Sequence, residues 1–442
     1  MTDTTRSPRK SGIVKAVVAS VIGTIIEWFD YALYGAAASL IINHIFFPDL
    51  SPAAGVLAAF GTFAIGFIVR PLGGVLIAHF GDRFGRKPAL IFSISLMGLG
   101  TVAIGLLPGF AQIGVFAPIL LVLMRMVQGF GAGAEYAGAV TLVYEYSPVR
   151  LRGFFTALLQ SSTVVGIMFA SLAFLGVSQL AETDIIRWGW RLPFLSSAIL
   201  FVIALYIRRQ LDETPEYLNA VQKAAQDKNT HKLPLKMLLT RYPKTLFYGF
   251  LAVTGHNANV YILSAFTLSY MTNSLDIAKS AALTALFYAA LCGVIAAPFM
   301  GWLADKFGAV KITVICALLT ALFAWPLFTL LDTRNMSWIT LAMCSGFVVG
   351  FGGMAGPQGL LLATIFPTEY RFSGISVTRE LNSMLIAGPT PLVCTLLVQY
   401  GGGSSHYVSA YLALCCLLTL WAVIMLSRHN MNTAQVVSTE AG

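Results

Sequence analysis

The chain has 442 residues, 57% of them hydrophobic and 11% charged, and its mean hydropathy is +0.77. A soluble domain carries about a quarter charged residues, so the composition excludes soluble enzymes, disordered chains and disulfide scaffolds and defines a membrane protein. The net charge of +9 would suggest a nucleic-acid partner in a soluble protein, but here the placement of the basic residues gives another reading.

Crossing the hydrocarbon core takes about 20 apolar residues. Polar and Pro/Gly punctuation cuts the sequence into twelve such runs, at 17–43, 53–78, 89–108, 112–145, 153–179, 190–208, 245–273, 279–303, 311–331, 337–366, 374–399 and 407–427. The first is too long for a signal-peptide core and lacks a small-residue cleavage site, so it reads as a span. An even count puts both termini on one side. Arg6, Arg9, Lys10 and Lys15 precede the first run, and the loops after even-numbered runs hold most other basic residues, against Arg187, Arg191, Lys279 and Arg334 on the opposite side. Both termini are therefore predicted to be cytoplasmic. Because the charge reports topology, nucleic acid is discounted. The predicted organisation is a cytoplasmic N-terminus (1–16), a six-helix bundle (17–208), a cytoplasmic linker (209–244) with Thr214-Pro215 opening a helix, a second six-helix bundle (245–427) and a cytoplasmic tail (428–442).

The two halves are related. Residues 129–153 and 350–374 align without gaps, sharing Gly129/Gly350, Phe130/Phe351, Gly131/Gly352, Ala134/Ala355, Gly138/Gly359, Arg150/Arg371 and Gly153/Gly374. The loop His79 to Lys87, with Asp82, Arg83 and Arg86, has a counterpart running from Leu303 through Asp305, Lys306 and Gly308 to Lys311 at nearly the same offset. Duplication of this kind is expected of a transporter built from repeats. The six cysteines, Cys292, Cys316, Cys344, Cys394, Cys415 and Cys416, all lie in apolar runs and read as small buried hydrophobes, without metal-ligand spacing.

These loops resemble the signature of the major facilitator superfamily. Within it, Glu27-Trp28-Phe29-Asp30-Tyr31, Arg70-Pro71-Leu72-Gly73-Gly74, the stretch from Arg125 to Glu135 and Trp188-Gly189-Trp190-Arg191-Leu192-Pro193-Phe194 look like the metabolite:proton symporter family, which includes shikimate, α-ketoglutarate, citrate and proline/betaine carriers. The resemblance covers about residues 13 to 428. It implies an all-α membrane protein of twelve transmembrane helices in two pseudo-symmetric six-helix bundles. It also implies uptake driven by the proton gradient through a bacterial cytoplasmic membrane, by a monomer that needs no cofactor. Departures are Ala78 where the loop motif begins with Gly, Ala309-Val310 in place of basic residues in the second copy, and Arg379-Glu380 where relatives tend to be neutral.

Ionisable groups inside a membrane are costly and mark function. The first span offers Glu27 and Asp30 as proton carriers, with Glu27, Tyr31 and Tyr34 on one stripe at i, i+4 and i+7. Alternatively, Asp30 is a permanently ionised partner of an arginine. The fourth span sets Arg125, Gln128, Ala132 and Glu135 on one face. Arginine stays charged, so Arg125 requires an anion, from a carboxylate or from substrate. Resemblance to the proton-coupled sugar branch of the superfamily makes Asp30–Arg125 the coupling pair. Glu135 serves either substrate or a polar seam toward the cytoplasm. Gly129 to Gly133 looks like a nucleotide loop but lacks the strand that loop requires, and close helix packing is expected instead. His256, Asn257, Asn259 and Tyr261 cluster in the seventh span, for substrate or for interhelical hydrogen bonds; Gln160, Gln358 and Asn382 are similar. Arg70 is expected to snorkel toward the cytoplasm. Arg379 either anchors substrate, the favoured reading, or snorkels or pairs with Glu380. At the cytoplasmic face Asp82 caps a neighbouring helix and Arg86 reaches Glu145, forming with Arg83, Asp305 and Lys306 a latch on the outward-facing state. No serine, histidine and acid constellation suggests an enzyme. The predicted function is proton-coupled symport of a small organic anion; a facilitator, an exchanger or a zwitterion symporter are the alternatives.

Overall fold

The computed structural model describes residues 10–84, 86–133, 135–210, 234–367 and 371–440. Twelve helical spans follow one another. They are α1 (Lys10–Leu40), α2 (Pro52–Ile68 continuing as Arg70–Phe84), α3 (Arg86–Leu106), α4 (Phe116–Ala132 and Glu135–Tyr146), α5 (Arg152–Val177) and α6 (Arg191–Gln210). The second bundle has α7 (Pro243–Ala252, Thr254–Tyr261, Ile262–Phe266 and Thr267–Asn273), α8 (Lys279–Phe307), α9 (Ala309–Asp332), α10 (Met336–Ser345, Gly346–Gly352 and Gly353–Ile365), α11 (Arg371–Asn382, Ser383–Ala387 and Thr390–Tyr400) and α12 (His406–Glu440). Eight of them are each long and apolar enough to cross a membrane, and α6 joins them when Glu182–Gly189, bent from it by 42°, is counted with it. The other three are α1, which carries Glu27 and Asp30, α3, whose apolar stretch is Ile91–Leu106, and α7, broken into four pieces around its polar centre.

The glycine run of α4 is a packing surface. A Cβ on Gly129 would stand 1.9 Å from the Gly66 carbonyl oxygen of α2, and one on Gly133 would stand 2.0 Å from that of Arg70. The two backbones are thus in direct contact, an approach that side chains forbid. The same device recurs in the second bundle, where a Cβ on Gly356 of α10 would meet the Ala297 carbonyl of α8 at 2.5 Å. The bundles meet along α5 and α8, where Ser161 Oγ donates to the Val294 carbonyl at 2.7 Å, and along α1 and α7, where Ser39 Oγ donates to the Ala265 carbonyl at 2.8 Å.

Three spans of the second bundle contain a wide turn with five-residue hydrogen-bond spacing: Ile262–Phe266 in α7, Gly346–Gly352 in α10 and Ser383–Ala387 in α11. Such turns inside helices often sit at functional sites. Of the 209–244 segment, the end of α6 and the helix Pro234–Arg241 are described; the Thr214-Pro215 helix start lies outside the described residues.

Candidate functional site

Among the described residues seven acidic and arginine side chains lie buried: Glu27, Asp30, Arg70, Arg125 and Glu135 from the first bundle, Arg379 and Glu380 from the second. Water cannot solvate them there, so their partners decide their chemistry.

Arg70 is 4% exposed and does not snorkel. Its Nη2 donates to Glu27 Oε1 at 3.2 Å and to the Ala132 carbonyl at 3.3 Å, while Nε donates to Glu380 Oε2 at 3.0 Å. The Tyr31 ring covers the guanidinium at 5.1 Å. Two carboxylates from opposite bundles therefore share one cation. Glu380 is taken by Arg70 and is not the partner of its neighbour Arg379, because successive residues on a helix point in different directions.

The structure does not bring Asp30 onto Arg125. Asp30 Oδ1 accepts a short hydrogen bond from the Ser197 hydroxyl of α6. Arg125, 0% exposed, instead donates to Gln128 Oε1 and, at 3.1 Å, to the Phe63 carbonyl. It lies over the Tyr34 ring at 4.0 Å, with Tyr31 and Phe63 each at 5.5 Å. Gln128 is held in turn by Nε2 donating to Thr101 Oγ1 at 2.7 Å. Among the described residues no carboxylate lies within ion-pair distance of Arg125. Among the described residues its hydrogen-bond and ring partners are neutral oxygens and aromatic faces.

Arg379 sits 3.4 Å over the ring of Tyr136 in α4, and its Nη1 has no hydrogen-bond partner. His256 packs its ring at a tilt against Phe351, with centroids 5.4 Å apart and Nδ1 unpartnered. Asn259 Nδ2 donates to the Gly346 carbonyl at 3.3 Å, which leaves Oδ1 open. Asn257 Nδ2 donates to Asn382 Oδ1 at 2.6 Å, and Asn382 Nδ2 donates to the Phe250 carbonyl and Thr254 Oγ1, each at 2.8 Å. Asn257 and Asn382 thus splice the broken centre of α7 to α11. Gln160 and Gln358 bridge the bundles at 2.6 Å.

A narrow apolar cleft of about 20 Å³, room for about one water, lies between the bundles on the side of this layer away from the termini. Trp28, Tyr31, Phe63 and Tyr261 wall it, with Ser171 and Ser264 as polar points. Trp28 and Tyr261 stack across the seam with centroids 6.0 Å apart. Neither Arg125 nor Arg379 lines the cleft; Arg125 lies behind the rings of Tyr31 and Phe63.

At the face bearing both termini, Asp305 accepts from the backbone N–H groups of Gly153 at 2.7 Å and Phe154 at 2.9 Å. It caps α5 of the other bundle, the role that sequence reasoning gave to its repeat partner Asp82. Lys306 lies over the Trp302 ring at 3.7 Å. Glu145 is paired with Arg371 Nη1 at 3.0 Å, a partner from the second repeat that the loop motif did not suggest. The side chains of Asp82, Arg83 and Arg86 lie outside those described.

This fold and this buried layer define a membrane carrier of small molecules. Residues 15–233 match the sugar (and other) transporter family. The chain is 38% identical to an inner membrane metabolite transport protein of Escherichia coli (strain K12), covering 94% of this chain and 95% of the relative. It is 33% identical to the shikimate transporter of the same organism, over 93% and 94% of the two chains, and 33% identical to a proline/betaine transporter of Salmonella typhimurium (strain LT2), over 87% and 78%. Among solved structures, the proton:xylose symporter of the major facilitator superfamily bound to 6-bromo-6-deoxy-D-glucose superposes with a TM-score of 0.75 at 17% identity, over 95% and 96%. The chain belongs to the major facilitator superfamily, among its metabolite transporters, and is not an enzyme.

Proposed function

We propose that the protein takes up a small organic anion together with protons, by alternating access through a bacterial inner membrane, as a monomer with both termini in the cytoplasm. The relatives named for shikimate and for inner-membrane metabolite transport support the substrate class and the location. The basic bias of the termini face supports the orientation. The proposed segments are the bundles at 17–208 and 245–427, joined by the 209–244 linker and followed by the 428–442 tail.

The observation that carries the reading is Arg125, fully buried and without a carboxylate. A permanent cation deep in a membrane calls for an anion, and a substrate carboxylate is the proposed one. Glu27, Glu135, Tyr31, Tyr34, Gln128, His256, Asn259, Tyr261 and Arg379 complete the proposed site. Among the described residues four buried carboxylates, Glu27, Asp30, Glu135 and Glu380, face three buried arginines. An entering anion adds to that negative excess unless protons accompany it, and Asp30 and Glu27 are the proposed carriers. The closing contacts at Glu145 and Asp305, with Lys306 beside them and Asp82, Arg83 and Arg86 on the sister loop, form the proposed cytoplasmic gate.

A second reading, a zwitterion symporter, is favoured by the cleft itself. Trp28, Tyr31, Phe63 and Tyr261 offer ring faces of the kind that hold quaternary ammonium groups, and one relative is a proline/betaine transporter. Thermal unfolding of the purified protein with shikimate, citrate and glycine betaine separates the two, since a ligand that binds the folded state raises Tm. Stabilisation by a carboxylate that disappears in Arg125→Gln supports the anion. Stabilisation by glycine betaine alone would replace it with the second reading.

A further inference from the structure

Arg70 and its two carboxylates differ in how they move. Glu27 on α1 and Arg70 on α2 belong to the same bundle, and their 3.2 Å contact travels with it. Glu380 on α11 belongs to the other, so its 3.0 Å contact with Arg70 Nε is stretched by any rocking of one bundle against the other. The whole cluster is buried, with Arg70 at 4%, Glu27 at 2% and Glu380 at 6% exposure. Rocking that pulls Glu380 away as a bare carboxylate strands an unpaired charge in a low-dielectric site, the costly way to break a buried pair. Rocking after a proton has settled on Glu380 strands nothing, and Arg70 keeps Glu27 as its counter-ion.

Position gives the cluster a gating role. Glu380 lies nine residues into α11 from Arg371, about 13 Å at 1.5 Å per residue, so the pair stands between the termini face and the cleft. On the cleft side the cluster is covered by Tyr31, which both lines the cleft and lies over Arg70. On the other side α4 and α11 converge, with Gly138 facing the Phe372 ring. The other ionisable groups facing the cluster are Glu135 of α4, Arg379 of α11, Tyr31 of α1 and Tyr261 of α7.

We propose that Glu380 is a proton-controlled latch: its ion pair with Arg70 closes the path from the cleft to the termini face, and a proton bound at Glu380 releases it, while Arg70–Glu27 persists as the fixed half. The inference rests on the proton-coupled reading above and adds to it a residue that neither the loop motif nor the first-span carboxylates supply. One proton enters from the cleft, breaks one ion pair, and returns to water on the termini face before the pair reforms.

The test needs no substrate. Gly138→Cys places a thiol in the gap between α4 and α11, where a Cβ meets only Phe372 at 3.5 Å, an ordinary contact. In everted vesicles its alkylation by a membrane-impermeant maleimide is normalised at each pH to that of Val149→Cys, 74% exposed at the same face, so that thiol ionisation cancels. The parent chain sets the background from the native cysteines. The latch predicts normalised labelling at least threefold higher at pH 6 than at pH 8, labelling high at both pH values once Glu380→Gln is added, and pH dependence kept in Glu380→Asp. Labelling of the Gly138→Cys chain that is flat with pH overturns the proposal, whether or not Glu380→Gln folds. So does pH dependence that survives Glu380→Gln and disappears in Glu27→Gln. Flat labelling alongside proton-driven uptake removes the latch alone, whereas proton-independent uptake removes the coupling reading beneath it.

Discussion

The two bundles share an ancestry visible in their sequences but divide the polar work unequally. Among the described residues the first holds Glu27, Asp30, Arg70, Arg125 and Glu135 in the membrane; the second holds Arg379 and Glu380 as buried charges and otherwise uses His256, Asn257, Asn259, Gln358 and Asn382. The first bundle packs its charged layer on helices clamped by direct backbone contact at Gly66 and Gly129, with Arg70 and Glu135 just past the breaks of α2 and α4. The second carries the wide turns of α7, α10 and α11. The difference teaches that most of the buried charge is set where direct backbone contact holds the helices together, and that most of the neutral hydrogen bonding sits on the helices with wide turns. Among the described residues it also isolates Glu380 as the carboxylate that the second bundle sends into the charged layer.

That contrast can be broken most drastically at the backbone contact. Gly129→Ala drives a methyl into the Gly66 carbonyl, a collision with backbone that no rotamer change relieves, and should destabilise the protein by about 3 kcal/mol. The yield of monodisperse protein and its Tm check this. Gly138→Ala, with only a ring at 3.5 Å, should leave both near wild type.

Next in size is the charge itself. Arg125→Gln removes the cation that lacks a carboxylate, and substrate affinity should fall by about ten- to a hundredfold, the scale of a hydrogen bond to a charged group. Asn259→Ala in the second bundle should weaken binding by about tenfold or less, as expected for a neutral partner. Equal losses at both positions, measured by titration calorimetry, would erase the proposed division of labour.

Asp30→Asn sharpens the account of coupling. It keeps the size of a side chain that accepts from Ser197 and removes the charge. Substrate binding and counterflow exchange should persist, while accumulation driven by the proton gradient and the pH dependence of affinity should be lost. If Asp30→Asn still concentrates substrate and Glu27→Gln does not, the coupling carboxylate is Glu27.

The smallest effects belong to the termini face. Asp305→Asn loses charge at the cap of α5, where it accepts from Gly153 and Phe154, a contact worth about 1 kcal/mol. Glu145→Gln loosens a partly exposed pair with Arg371 worth up to about 1 kcal/mol. Both should change turnover severalfold with little change in substrate affinity. Abolished binding in either would assign these residues to the pocket.

The sequence made the spans, the duplication and the packing role of Gly129 to Gly133 legible, because apolar length and small-residue runs are local properties. It also singled out the buried ionisable residues, since each stands out against apolar neighbours. Which of them meet was not legible. Asp30 and Arg125 lie on adjacent helices, yet the rotation of α1 turns Asp30 toward Ser197 of α6. Arg70 read as a snorkelling end residue because nothing local reveals a carboxylate 310 positions away. Glu145 has Arg371 as its partner for the same reason: contacts across the bundle seam depend on how two separate units dock. The wide turns of five to seven residues left no periodic trace, being short segments inside longer helices.

Transport energised by protons is the central claim, and uptake into proteoliposomes tests it most directly. With the purified protein facing an imposed pH gradient, alkaline inside, the account predicts that the carboxylate or zwitterion identified by thermal stabilisation accumulates at least tenfold above its outside concentration, and that a protonophore returns it to the outside level. Uptake that stops at equal concentrations on both sides, at the same rate with and without the gradient, would contradict the account and make the protein a facilitator.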